Sequence, residues 1–111
     1  MKDLDFKLID AQTLLIMPAV RNIADFLDVR QVKADWNTEL TTARISFTGK
    51  NGNRCEFRTK IELAKPASEV IVFFDYNRGK LCETDFSGEP AAKLNPRKIL
   101  EHFKGIFVQE I

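Results

Sequence analysis

Glu69-Val-Ile-Val-Phe-Phe-Asp-Tyr-Asn-Arg-Gly-Lys-Leu-Cys-Glu-Thr-Asp-Phe86 is the stretch that decides how the rest of this chain is read. Val70 to Phe74 are five apolar residues in succession, all β-branched or aromatic, and they run into Asn77-Arg78-Gly79. A shorter alternating run leaves that turn. The pattern is a β-hairpin whose first strand is apolar on both faces, and only a central strand tolerates that.

Working outward towards the N-terminus, Ala43, Ile45 and Phe47 alternate with Arg44, Ser46 and Thr48. Gly49-Lys50-Asn51-Gly52-Asn53 follows, and Asn-Gly is a strong hairpin signal because both residues tolerate positive φ. The return strand sets Cys55, Phe57, Thr59, Ile61 and Leu63 on one face. Arg54, Glu56, Arg58, Lys60 and Glu62 take the other. Ala64-Lys65-Pro66-Ala67-Ser68 ends it. The expected core is therefore a four-stranded antiparallel meander over roughly 41–49, 53–64, 69–77 and 80–86.

The flanks read as helices. A proline inside a helix removes a hydrogen bond and clashes with the preceding turn, so Pro18 belongs in the first turn of a helix over 18–28. Val20, Ile23, Ala24 and Leu27 form its apolar face. Asn95-Pro96 supplies an N-cap and a first-turn proline for a C-terminal helix, with Ile99, Leu100, Phe103, Ile106 and Phe107 as its stripe. Gly105 would let that helix lie close to the sheet. Alternation over 3–8 (Asp3, Asp5 and Lys7 against Leu4, Phe6 and Leu8) admits an extra N-terminal strand. Residues 29–40 show no clear period and read as a connection, with Trp36 a core or lid residue above it. Ser87-Gly88-Glu89-Pro90 reads as a loop. The expected fold is a single α+β domain over 1–111. Its helices pack mainly on one sheet face and cover Ile45, Phe47, Cys55, Phe57, Ile61, Val70, Val72 and Phe74.

A chain of 111 residues is long enough to bury a core without metals or disulfide staples. Nine Phe against one Tyr and one Trp make that core aromatic-rich. A formal net charge of +1 gives no global pull towards nucleic acid or anionic membrane. Cys55 and Cys82 lack C-x-x-C spacing and are expected as reduced, buried thiols, a single cross-strand disulfide being the alternative. The acidic N-terminal residues and the short Leu14–Met17 run do not resemble a signal peptide, and no stretch approaches a membrane span. A cytoplasmic protein is the expectation.

Catalytic motifs are scarce. His102 is the only histidine, and with no clustered cysteines it points to no structural zinc site. It reads as a solvated helix residue. Neither a dinucleotide nor a P-loop fingerprint is present, so no cofactor is indicated. Glu83 and Asp85 share one strand face, which suits acid–base work or the solvated side of an edge strand. The last enzyme reading is a pocket between the sheet and residues 29–40 near Trp36. A non-catalytic protein is the stronger expectation.

What remains is the sheet face away from the helices. It carries Arg44, Arg54, Arg58 and Lys60 beside Ile71, Phe73 and Leu81. Residues 41–65 hold six Lys/Arg against two Glu, which makes this the one basic segment. Three readings compete for it. In the first, Ile71 and Phe73 anchor another protein or a second copy in a homodimer, with Arg58 and Lys60 as the charged rim. In the second, Arg44, Arg54, Arg58 and Lys60 track the phosphates of a single-stranded nucleic acid while Phe73 stacks on its bases. In the third, residues 4–17 fold over Ile71 and Phe73, and the basic side chains pair with glutamates across strands. The order helix, meander, helix recurs among small regulatory, adaptor and toxin-neutralising proteins, a topological analogy that assigns no function.

Overall fold

The computed structural model describes residues 6–64, 69–79 and 81–111, the side chains of 81–87 excepted. The chain opens with α1 (Phe6–Ala11), a π-helical segment (Gln12–Ile16) and α2 (Met17–Val29). Five strands follow: β1 (Ala34–Thr38), β2 (Thr42–Thr48), β3 (Arg54–Ala64), β4 (Glu69–Arg78) and β5 (Leu81–Pro90). A 3₁₀ turn (Ala91–Lys93) leads into α3 (Pro96–Ile106). The sheet order is β1-β2-β3-β4-β5, and every neighbouring pair is antiparallel.

The expected α+β architecture is present with one more strand than the sequence pattern suggests. β1 lies in the stretch read as a connection. It is a short edge strand whose central residues are exposed, so it lacks the apolar alternation that marks a half-buried strand. The alternation at Phe6, Lys7 and Leu8 belongs to α1 rather than to an extra strand; residues 3–5 lie outside the described residues.

Pro18 stands in the first turn of α2, as expected, but the helical backbone does not break ahead of it. Backbone dihedrals stay helical through Ala11, Ile16 and Met17, and the π segment meets the proline instead. The Met17 N–H reaches back five residues to the Gln12 carbonyl. One widened turn thus absorbs the missing proline N–H and the ring clash that would break a regular α-helix.

Both long helices lie on one face of the sheet. α2 buries Ala19, Val20, Ile23 and Leu27, and α3 buries Ile99 and Phe103. The eight sheet residues expected beneath them are all buried. Rings dominate the packing. Phe47 stands edge-on to Phe103 at 5.8 Å and to Phe107 at 5.3 Å, while Phe57 stacks on Phe74 at 5.7 Å. Each fully buried Phe contributes about 1.5–3 kcal/mol by area, and each ring pair about 0.5–1.5 kcal/mol more.

Capping and tethering set the register of helices on sheet. The Asn95 side chain accepts from the Lys98 N–H at 2.9 Å, with Pro96 in the first turn, as expected. Gly105 has nothing within 4 Å of an added Cβ, so it does not bring α3 closer to the sheet. The C-terminal segment docks on the β2–β3 turn, where the Lys50 N–H donates to the Glu110 carbonyl at 2.7 Å. In that turn Gly52 has φ +87°, the left-handed conformation for which its Asn-Gly pair is suited.

Candidate functional site

The opposite sheet face is open, and alternation decides which side chains reach it. Arg44 stands directly across from Arg58, Lys60 across from Phe73, and Arg58 across from Asp75. A cavity of about 500 Å³ opens there, lined by Asn37, Glu39, Arg44, Arg58, Lys60, Glu62, Phe73 and Asp75 among others. Its volume falls within the range of ligand-sized clefts.

Two arginines opposed across a strand pair repel unless a counter-ion lies between them. Glu56 supplies it. One carboxylate oxygen sits 2.6 Å from Arg58 Nη1 and the other 3.4 Å from Arg44 Nη1. Arg58 Nε also donates to Asp75 Oδ1 at 2.5 Å. Lys60 pairs with Glu62 at 3.0 Å and Arg54 with Asp35 at 3.5 Å. Arg44, Arg54, Arg58 and Lys60 therefore each meet a carboxylate of the same face. Isolated exposed pairs contribute about 0–1 kcal/mol, while the shared Glu56 makes Arg44, Arg58 and Asp75 one connected group with fixed geometry.

The structure brings Arg44, Arg58, Lys60 and Phe73 together at one cavity and leaves two of the expected residues outside its lining. Arg54 sits at the far end, where its guanidinium donates to Ser46 Oγ at 3.0 Å. Ile71 lies at the near end beside Phe73, and both are half-buried. Residues 6–17 do not cover them, and residues 4 and 5 lie outside the described residues. The described part of that segment lies on the helical face, with Leu15 and Ile16 in the core and Leu8 packed against it. The cover comes instead from β5. Its register slips between Val72 and Phe74, and the slip brings Gly88, at φ +65°, over both side chains. Ser87 to Pro90 thus belong to a bulged strand rather than a loop. Leu81, Glu83 and Asp85 have side chains outside the described residues.

Asn37 and Glu39 line the cavity from an element the periodicity does not reveal, whereas Asp75 follows from the alternation through Phe73. Trp36 does not line it. It pairs with Ile45 on the helical side of the edge strand and remains 41% exposed. His102 is exposed yet not merely solvated, since its ring centroid lies 4.8 Å from that of Phe74. Cys55 is a free, buried thiol. β4 separates its strand from that of Cys82, and two ladder spacings of roughly 4.8 Å exceed the usual disulfide span. Burial first, and the Glu110 carboxylate second, push the Cys55 thiol above its ordinary value; N–H groups at Gly79 and Gly49 and the Arg54 charge pull the other way.

Among the described residues no three His, Cys, Asp or Glu side chains gather in a metal-binding group. No helix there is long and apolar enough to cross a membrane. No family model matches the chain, and neither the curated proteins nor the solved structures contain a significant match.

Proposed function

We propose that this chain is a small protein-binding protein, adaptor, regulator or neutralising in role and without catalysis of its own, that holds a partner on the open face of its sheet. The observation that carries the reading is the anatomy of the cavity. Phe73 forms an apolar anchor point, and Arg44, Arg58 and Lys60 around it each contact a neighbouring carboxylate. An apolar centre rimmed by oriented Arg side chains is what a protein interface uses, because the rim sets register while the centre supplies burial. A partner segment with both charge signs around an apolar side chain suits this rim.

Single-stranded nucleic acid is the weaker reading. Phosphates need uncompensated cations, yet Arg44, Arg54, Arg58 and Lys60 each contact a carboxylate. The enzyme reading puts a pocket between the sheet and residues 29–40; the cavity borders that segment through Asn37 and Glu39, while Trp36 itself lies on the other face.

The test is capture of partners from the native cell with tagged wild type and Phe73→Asp. The wild type should retain a specific protein that the folded variant loses. Lys60→Glu, at the exposed rim, should weaken the same capture if Phe73→Asp fails to fold. Equal capture by wild type and both variants would sink the reading.

A further inference from the structure

The two ends of the sheet differ. β5 is bulged and ends at Pro90, and both features blunt an edge against pairing with another strand. β1 has neither. The Glu39 N–H bonds to the Thr42 carbonyl, and alternation along the pair then turns Asp35 and Asn37 towards β2. Ala34, Trp36 and Thr38 consequently direct their N–H and C=O groups away from the sheet. Among the described residues nothing bonds to them. Exposed apolar side chains also gather at this edge: Val29 just before β1, Trp36 at its centre and Leu40 just after it.

The geometry points to a second copy of this chain as the occupant, paired antiparallel through β1 about a two-fold axis at Trp36. With Trp36 opposite Trp36 of the other copy, the register of every flanking residue follows. Asp35 meets Asn37, so no like charges oppose each other within the strand. Lys33 meets Glu39, a pair of opposite charges formed twice, and Val32 meets Leu40. Lys33 and Glu39 are both exposed and have no ion pair among the described residues. A self-complementary pattern of this kind is what an isologous contact requires. The helices permit it. α2 packs over β1 and β2, so pairing at β1 sets the two α2 helices about two strand spacings, roughly 10 Å, apart, a normal helix-packing distance. The product is a continuous sheet of ten strands, in which Asn37 and Glu39 at the margin of each open-face cavity also meet the other copy.

Sedimentation equilibrium of the full chain over a concentration series tests the pairing. The wild type should form a dimer. Lys33→Glu and Glu39→Lys should each weaken self-association by about tenfold or more, since each turns two attractive cross-strand pairs into repulsive ones. An equimolar mixture of the two variants should associate as the wild type does, because every pair across that interface is again of opposite sign. Trp36 is the only tryptophan, so its emission should shift to the red as the dimer dissociates on dilution. Phe73→Asp should leave the dimer intact, which separates this proposal from the open-face reading. A wild type that stays monomeric throughout, or a dimer indifferent to both charge reversals, or one dissolved by a Phe73→Asp variant that circular dichroism shows to be folded, would overturn edge pairing.

Discussion

Gly88 crosses Phe73 so closely that a Cβ on the glycine would stand 2.8 Å from Phe73 Cε1. The apolar island of the open face is thus half covered by the chain's own bulge, and the bulge needs a residue without a side chain. Gly88→Ala meets two penalties: φ is +65°, and the new methyl would lie 2.7 Å from Ile71 Cγ2. A loss of about 1–3 kcal/mol is expected, read as a lower urea midpoint. An unchanged midpoint would show that the bulge relaxes without cost and that the close approach is incidental.

Gln12 fastens the π segment to the sheet. Its Nε2 donates to the Glu39 and Thr42 carbonyls, both at 2.8 Å, and the residue is buried. Gln12→Leu keeps the volume and removes both donors. The Thr42 carbonyl still accepts from the Glu39 N–H, so the cost falls mainly on the Glu39 carbonyl, about 1–3 kcal/mol. Hydrogen exchange should rise first in β1, which this tether holds against the helix. Protection at β1 equal to that of the wild type would contradict the tether.

The meander was legible because β2, β3 and β4 each bury one face, and burial of one face writes itself as period two. Phe47, Phe57 and Val72 announce the core in this way. β1 was not legible. Asp35, Trp36 and Asn37 are exposed at an edge where pairing rests on the backbone, and backbone bonds leave no trace in side-chain identity. The helix across Pro18 was hidden for the opposite reason. The local rule against mid-helix proline is sound, but a π turn satisfies it two residues earlier than a break would. On the open face the basic residues were visible and their neutralisation was not. Glu56 lies in the same strand as Arg58, and only the β2–β3 register shows that it also serves Arg44. The cover over Ile71 and Phe73 depends on a register slip in β5 that no periodicity encodes.

Phe103 and Phe73 should respond very differently to truncation. Phe103 is fully buried and touches the rings of Phe26, Phe47, Phe57 and Phe107. Its replacement by Ala removes those contacts and leaves a cavity, at a cost of about 3–5 kcal/mol. Phe73 is half-buried, so Phe73→Ala forfeits roughly half of the 1.5–3 kcal/mol of a fully buried ring. Chemical denaturation of both variants checks the ranking. Similar losses would mean that Phe73 is a core residue and would remove the anchor from the proposed interface.

Cys55 gives a stability term with a definite sign. Burial favours the neutral thiol, so the folded pKa lies above the unfolded one. The fold then binds more protons than the unfolded chain between those two values. Stability from this group is fully present below the ordinary thiol value of about 8.5 and is lost as pH rises through the raised folded value. Urea midpoints should fall on the alkaline side more steeply for the wild type than for Cys55→Ala. Identical alkaline slopes would show that the thiol titrates alike in both states.

The charge balance of the open face decides between protein and nucleic acid, and two carboxylates control it. Glu56 and Asp75 both contact Arg58, and Glu56 also contacts Arg44. While they remain ionised, a phosphate arriving at the face must compete with a carboxylate already in place, and little counterion release accompanies binding. A single-stranded oligonucleotide should therefore show no salt-dependent shift with the wild type. Glu56→Gln combined with Asp75→Asn keeps the shape and frees two guanidinium groups from their counter-charges. That variant should gain weak binding that declines with salt, with a log–log slope of about −0.7 for each phosphate neutralised. Salt-sensitive binding by the wild type would mean that phosphate outcompetes the two carboxylates, and the face would then have to be read as a nucleic-acid surface.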